Sequence, residues 1–119
     1  NDGTFESDGD IYQNGTSLDD TYLALSQLKV TKATISASSS KTFIVNDSTR
    51  AILLCTGAGS TVKGAYLLYA TASGTVTYTA ILSGSNISVS VTTNSINVAN
   101  NYSSAGCYAC FLIWNGNIT

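Results

Sequence analysis

Residues 86–92, Asn-Ile-Ser-Val-Ser-Val-Thr, alternate strictly between polar and apolar. Side chains two apart share one face of a strand, so Ile87, Val89 and Val91 predict a buried face and the serines a wet one. Ile96 and Val98 repeat the pattern after the turn pair Thr93-Asn94. Runs rich in Val, Ile, Thr and Tyr predict strands at 30–36, 42–45, 50–56, 62–71, 75–82, 86–92, 95–99 and 107–114. Ser38 to Ser40, Gly57-Ala58-Gly59, Ser73-Gly74 and Ser83-Gly84-Ser85 punctuate them. Eight short strands at this spacing predict a mainly β protein, an antiparallel, jelly-roll-like β-sandwich.

Three strands break the alternation. Residues 51–55 (AILLC), 65–70 (AYLLYA) and 107–114 (CYACFLIW) are apolar on both faces. An antiparallel sheet with one wet face should alternate. A sandwich of this size covers one face of each strand, so the other face is expected to meet neighbouring subunits. The competing explanations are a wide core in a monomer and an exposed patch that binds a partner.

Residues 9–28, GDIYQNGTSLDDTYLALSQL, read differently. Ile11 and Tyr12 are strand formers, and Asn14-Gly15 is a turn pair whose residues tolerate positive φ. Ser17 reads as a helix N-cap with Asp20 three residues on, and Leu18, Tyr22 and Leu25 form a short helical stripe. So short a helix is not stable alone in water and must pack on something. No helical period survives beyond Leu28.

The run GDIYQNGTSLDDTYL resembles a neck segment of tail-fibre and related structural proteins of bacteriophages and prophages. The resemblance lies in Gly9, Ile11, Tyr12, Gln13, Asn14, Gly15, Thr16, Ser17, Leu18, Asp19, Asp20 and Tyr22. It covers about a seventh of the chain, and the Ala- and His-rich repeats that often follow in that family are absent here. The resemblance implies a homotrimer whose tip binds a bacterial surface. It divides the chain into a neck or trimerisation segment, 1–28 (short strand, turn, short neck helix), and a β-sandwich tip domain, 29–119. Leu18, Tyr22 and Leu25 are the expected oligomerisation residues.

Charge sharpens that division. Six of the seven acids lie in the first twenty residues, which hold no base; residues 21–119 hold all five bases against the single acid Asp47, a surplus of four. Five bases are too few for a nucleic-acid footprint. No apolar run is long enough for a transmembrane helix, so no membrane insertion is expected. The lack of methionine is what a fragment or processed product would show.

Chemistry narrows further by what is missing. With no histidine, a Ser-His-Asp or Cys-His nucleophile is excluded. Cys107 and Cys110 have CxxC spacing, but on a strand they point to opposite faces, and zinc would need more ligands. All three cysteines are therefore expected to be reduced, small buried hydrophobes in a protein folded in the host cytoplasm. Glycoside hydrolysis needs two carboxyl groups. Asp47 is alone in the β domain, so a pair could be completed only from residues 1–20 or across a subunit boundary. These absences predict no enzymatic activity, no cofactor and no metal.

The expected role is the receptor-binding tip of a virion appendage, contacting a host-cell surface glycan or protein. The alternatives are a purely structural trimerisation and capping module, or a cellular lectin or adhesin domain. If the strand near 30–36 leaves the neck, the turns at 37–41, 57–61, 83–86 and 100–106 lie at the far end. Those at 46–49, 72–74 and 93–94 then lie near the neck. Loop 100–106 sets an aromatic among amides and hydroxyls, which suits sugar stacking and hydrogen bonding. Asn100, Asn101, Tyr102 and Ser103, with Lys41 from a neighbouring turn, are the expected ligand-binding residues.

Overall fold

The computed structural model describes residues 12–13, 16–17, 28–57 and 61–119. Tyr12–Gln13 (β1) and Thr16–Ser17 (β2) pair antiparallel, with Tyr12 opposite Ser17 and Gln13 opposite Thr16. Only Asn14 and Gly15 separate the two in sequence, the spacing of a two-residue hairpin. Ser17, expected as an N-cap, is thus a strand residue here. The helical stripe of Leu18, Tyr22 and Leu25 lies outside the described residues.

Eight longer strands follow: Lys29–Ile35 (β3), Ser40–Ile44 (β4), Arg50–Gly57 (β5), Lys63–Ala70 (β6), Val76–Ser85 (β7), Ile87–Thr92 (β8), Ser95–Asn100 (β9) and Cys107–Asn115 (β10). They form a five-stranded sheet, β3-β10-β5-β6-β7, and a three-stranded sheet, β4-β9-β8, antiparallel throughout. Among the described residues no helix is long and apolar enough to cross a membrane.

A jelly roll passes between its two sheets at nearly every connection. Here β5, β6 and β7 stay together as a meander. Their connections are short, and a short connection holds antiparallel strands side by side in one sheet. The jelly-roll expectation is corrected accordingly to a five-plus-three sandwich.

One core fills the space between the sheets. Ile35, Leu53, Leu68, Phe111 and Ile113 of the larger sheet meet Phe43, Ile96 and Val98 of the smaller. The Phe43 and Phe111 rings pack edge to face across it, 4.8 Å between centroids. Two devices close the sides. The chain end turns at Gly116, whose φ of 82° suits glycine and where any side chain would run into Thr49. Thr49 Oγ1 accepts from the Asn117 amide and donates to the Asn117 carbonyl, each at 3.1 Å. Ile118 is thereby buried, and Thr119 exchanges backbone hydrogen bonds of 2.8 and 2.9 Å with Ile44 at the β4 edge. On the other side the Tyr78 hydroxyl donates to the Val89 carbonyl at 3.0 Å and ties β7 to β8.

The cysteines follow the strand period: Cys55 and Cys107 are buried inward and Cys110 lies half-buried on the outer face, all three free. Burial, with a smaller contribution from Cys107 beside it, pushes the Cys55 thiol from 9.0 up to about 12. Burial raises Cys107 as well. The folded chain keeps a proton on Cys55 that the unfolded chain releases above pH 9.0. Stability is therefore complete below that pH and falls as pH rises toward the folded value, by about 1.4 kcal/mol per pH unit for one thiol. Denaturant midpoints measured from pH 7 to 11 should decline at the alkaline end, and Cys55→Ala should reduce the slope. An identical slope in Cys55→Ala would assign the decline to other groups.

Candidate functional site

Backbone hydrogen bonds gather the connections into two clusters. At one end, Ser38 N donates to Tyr102 O (3.0 Å), Asn100 N to Ser39 O (2.8 Å) and Asn101 N to Asn86 O (2.9 Å). Asn86 Nδ2 reaches Thr61 O at 2.9 Å. At the other end, Ser48 N donates to Thr71 O (3.0 Å), Asn94 N to Gly74 O (2.8 Å) and Asn46 N to Asn117 O (3.0 Å). β3 starts at this second end, where Lys29 Nζ donates to Gly116 O at 3.3 Å. The grouping is the one that strict strand alternation demands. Of the 57–61 turn, residues 58–60 lie outside the described residues.

Asn100 ends β9 with a buried side chain. Its Nδ2 donates toward Ile35 O (3.2 Å), Ser36 O (3.3 Å) and Ala105 O (3.0 Å), and its Oδ1 accepts from Tyr102 N (3.0 Å). Every polar atom of the amide is thus occupied, because a buried amide left unpaired would cost stability. Asn100 shapes the loop and has no free group to offer a ligand. Asn101 is exposed, with Nδ2 2.6 Å from Ser88 Oγ. Tyr102 is half-buried and packs on the core, while Ser103 is exposed. Lys41 lies opposite Val98, and its Nζ sits 5.7 Å from the centre of the Phe43 ring. The exposed Lys41 thus makes a cation–π contact with a core ring.

Between the two connections lies an open cleft of ≈ 380 Å³, lined by Ser38, Ser39, Ser40, Ala99, Asn100 and Asn101. Two of the expected residues, Asn100 and Asn101, belong to it; Lys41, Tyr102 and Ser103 do not line it. Ser38 to Ser40 were legible only as turn punctuation, although three consecutive serines beside a loop of amides are themselves a hydrogen-bonding signal. Ser38 takes φ 55°, which tightens the turn.

The cleft wall carries hydroxyls, backbone amides and the carboxamides of Asn100 and Asn101, and among the described residues no acid or thiol lines it. Hydroxyls donate and accept at once, which matches the paired demands of sugar hydroxyls. Its chemistry is hydrogen bonding of a neutral polar ligand. A second hollow, ≈ 480 Å³, lies at the opposite end between Ile44, Val45, Asn46, Asp47 and Asn94. There Asn94 Nδ2 is already shared between Val45 O and Asp47 Oδ1, both at 2.9 Å.

No protein-family model matches the chain, and no curated protein matches it. Among solved structures, the chain is similar to tailspike protein gp49 from Acinetobacter baumannii bacteriophage Fri1, a capsular polysaccharide depolymerase. The TM-score is 0.57 at 10% identity, over 86% of this chain and 23% of that one. The Acinetobacter phage vB_ApiP_P1 tailspike protein gives a TM-score of 0.39 at 15% identity, over 98% of this chain and 25% of that one. The expectation of a protein without enzymatic activity is corrected here: a tailspike of which 23% matches this fold is a depolymerase, so the lack of a local catalytic constellation is no ground for setting catalysis aside. The chain spans about a quarter of the tailspike's length and shares the fold of that part alone.

Proposed function

We propose that this chain is a host-surface-binding domain of a phage tail appendage, acting as a homotrimer on the virion. Its ligand is a glycan or glycan-bearing protein of the bacterial surface. The carrying observation is the neutral hydroxyl and amide cleft at the end away from where β3 begins. Residues 1–28 serve as the neck, with Leu18, Tyr22 and Leu25 joining the subunits. Ser38, Ser39, Ser40 and Asn101 contact the ligand, with Tyr102 and Ser103 beside them. Lys41 borders the site, and Asn100 holds its shape. Folding in the host cytoplasm suits the three free thiols. The fold shared with a depolymerase tailspike supports the appendage and the polysaccharide class of ligand. Three weak sites on one rigid tip gain roughly a hundredfold or more in avidity without new contacts.

Binding to purified capsular and envelope glycans, with reducing ends followed in the same samples, tests this reading. Asn101→Ala and Ser39→Ala should each weaken retention by about tenfold, the worth of one or two hydrogen bonds. Oligomer size should stay unchanged. Wild-type adsorption by both intact variants would place the site elsewhere. No retention of any glycan or host cell by the wild type would favour the purely structural module. Release of reducing ends by the chain alone would make it catalytic as well as binding.

A further inference from the structure

The five-stranded sheet has a second, outward face. The registers place Val30, Leu112, Ile52 and Leu67 in one row across β3, β10, β5 and β6, with Cys110 and Leu54 in the next. Residues directly opposite one another share a face, so these six lie together. Val30, Leu67 and Leu54 are 51%, 41% and 39% exposed. The charges on this face are all cationic and all peripheral. Lys32 sits on the β3 edge, and Arg50 and Lys63 at the strand ends. The three-stranded sheet turns the opposite character outward: Thr42, Asn97 and Ser90 form a row, with Asn97 Nδ2 on Thr42 Oγ1 at 2.9 Å. One sandwich thus has one dry outer face and one wet one.

The dry face is as large as an interface. With Tyr69, Tyr108 and Trp114 on its flanks (44%, 64% and 39% exposed) and Leu82 on β7 (48% exposed), it leaves on the order of 600 Å² open, counting about 150–250 Å² for each large side chain when fully free. That is the upper end of the largest apolar patches on monomers, about 300–600 Å², and it reaches the roughly 600–1,000 Å² that a standard interface takes from each partner. A glycan does not fit, since the two central rows present almost no hydroxyl or amide. A different protein would leave the face bare until it arrived. Another copy of this chain is present wherever the chain folds. We infer that the outer face of the five-stranded sheet is the contact between copies of this chain, with Cys110 inside it and the three-stranded sheet turned to solvent. This rests on the trimer reading above.

Cys110 supplies the probe, because the other two thiols are buried in the core. The full chain is sized by light scattering and labelled with N-ethylmaleimide, the modified thiol being located by mass spectrometry. A trimer whose Cys110 reacts at least about tenfold more slowly than in urea is expected, since labelling must await opening of the contact. Leu67→Arg should yield a smaller species with native β content in which Cys110 labels freely. A trimer whose Cys110 labels at the free-thiol rate would overturn this face as the contact while leaving the trimer intact. A monomer, whatever its labelling, would overturn both. The wild-type labelling decides even where Leu67→Arg fails to fold.

Discussion

Phe111→Ala is expected to cost about 3–5 kcal/mol, a large share of the 5–15 kcal/mol that holds a domain of this size. Phe111 sits mid-strand in β10, opposite Thr31 on one side and Leu53 on the other. It is fully buried, and its ring meets Phe43 edge to face at 4.8 Å. Truncation empties a ring-sized volume between two sheets whose backbones are pinned by their ladders, so the cavity collapses only in part. The aromatic pair is lost as well, about 0.5–1.5 kcal/mol beyond area. Thermal unfolding should shift down by about 4–8 °C per kcal/mol. Leu112→Ala, one residue along on the outer face, is the control. Its loss should be well below that of Phe111→Ala, because Leu112 is only half-buried. A loss of less than about 1 kcal/mol in Phe111→Ala, below any typical large-to-small core change, would mean that β10 does not occupy the centre of the core.

Asn100→Asp is expected to cost about 3–5 kcal/mol at pH 7.5, because three carbonyl oxygens lose their donor and face a buried charge. The Tyr102 amide keeps an acceptor, so the loss falls on the contacts to Ile35, Ser36 and Ala105. Burial among carbonyls raises the folded pKa of the introduced carboxyl above its unfolded value. The carboxyl is therefore tolerated best when protonated. The deficit relative to wild type should shrink as pH falls toward about 4 and be complete at neutral pH. Asn100→Ala should be destabilised with no such pH dependence. Hydrogen exchange should quicken first at Ser38, whose amide bonds the Tyr102 carbonyl. Glycan retention should fall with loop order, although Asn100 has no free polar atom for a ligand. A fully stable Asn100→Asp with ordinary exchange would show that the loop is held by other contacts.

The two-faced strands were the most informative pattern in the chain. Residues 51–55, 65–70 and 107–114 are adjacent strands of one sheet, and their second apolar set does lie outward. The strand expected at 75–82 runs on to Ser85, because irregular pairing opposite Lys63, Ala65 and Tyr66 lets β7 continue past the end of its alternation. The site was legible in part. Loop 100–106 and the serines of 38–40 do meet, as alternation of strand directions requires. The role of Asn100 was not, because three of its partners, Ile35, Ser36 and Ala105, include two that lie 64 and 65 residues away.

What the sequence determined by itself is local. Runs of strand-forming residues and turn pairs set the eight longer strands and the turns between them, and the period of two set the inward residues where it holds, since each depends only on neighbours along the chain. The absence of histidine and the clustering of acids in residues 1–20 are equally independent of fold. The tertiary structure decided which strands pair. β10 lies between β3 and β5, the sheets divide five and three, and Ile118 closes the side of the sandwich. Pairing is a competition among distant segments of nearly equal β-propensity, and packing and register settle it only when the whole core assembles. The same assembly turned Asn100, the last residue of β9, inward onto carbonyls of distant segments and left Asn101, the first residue of the loop, exposed at the cleft.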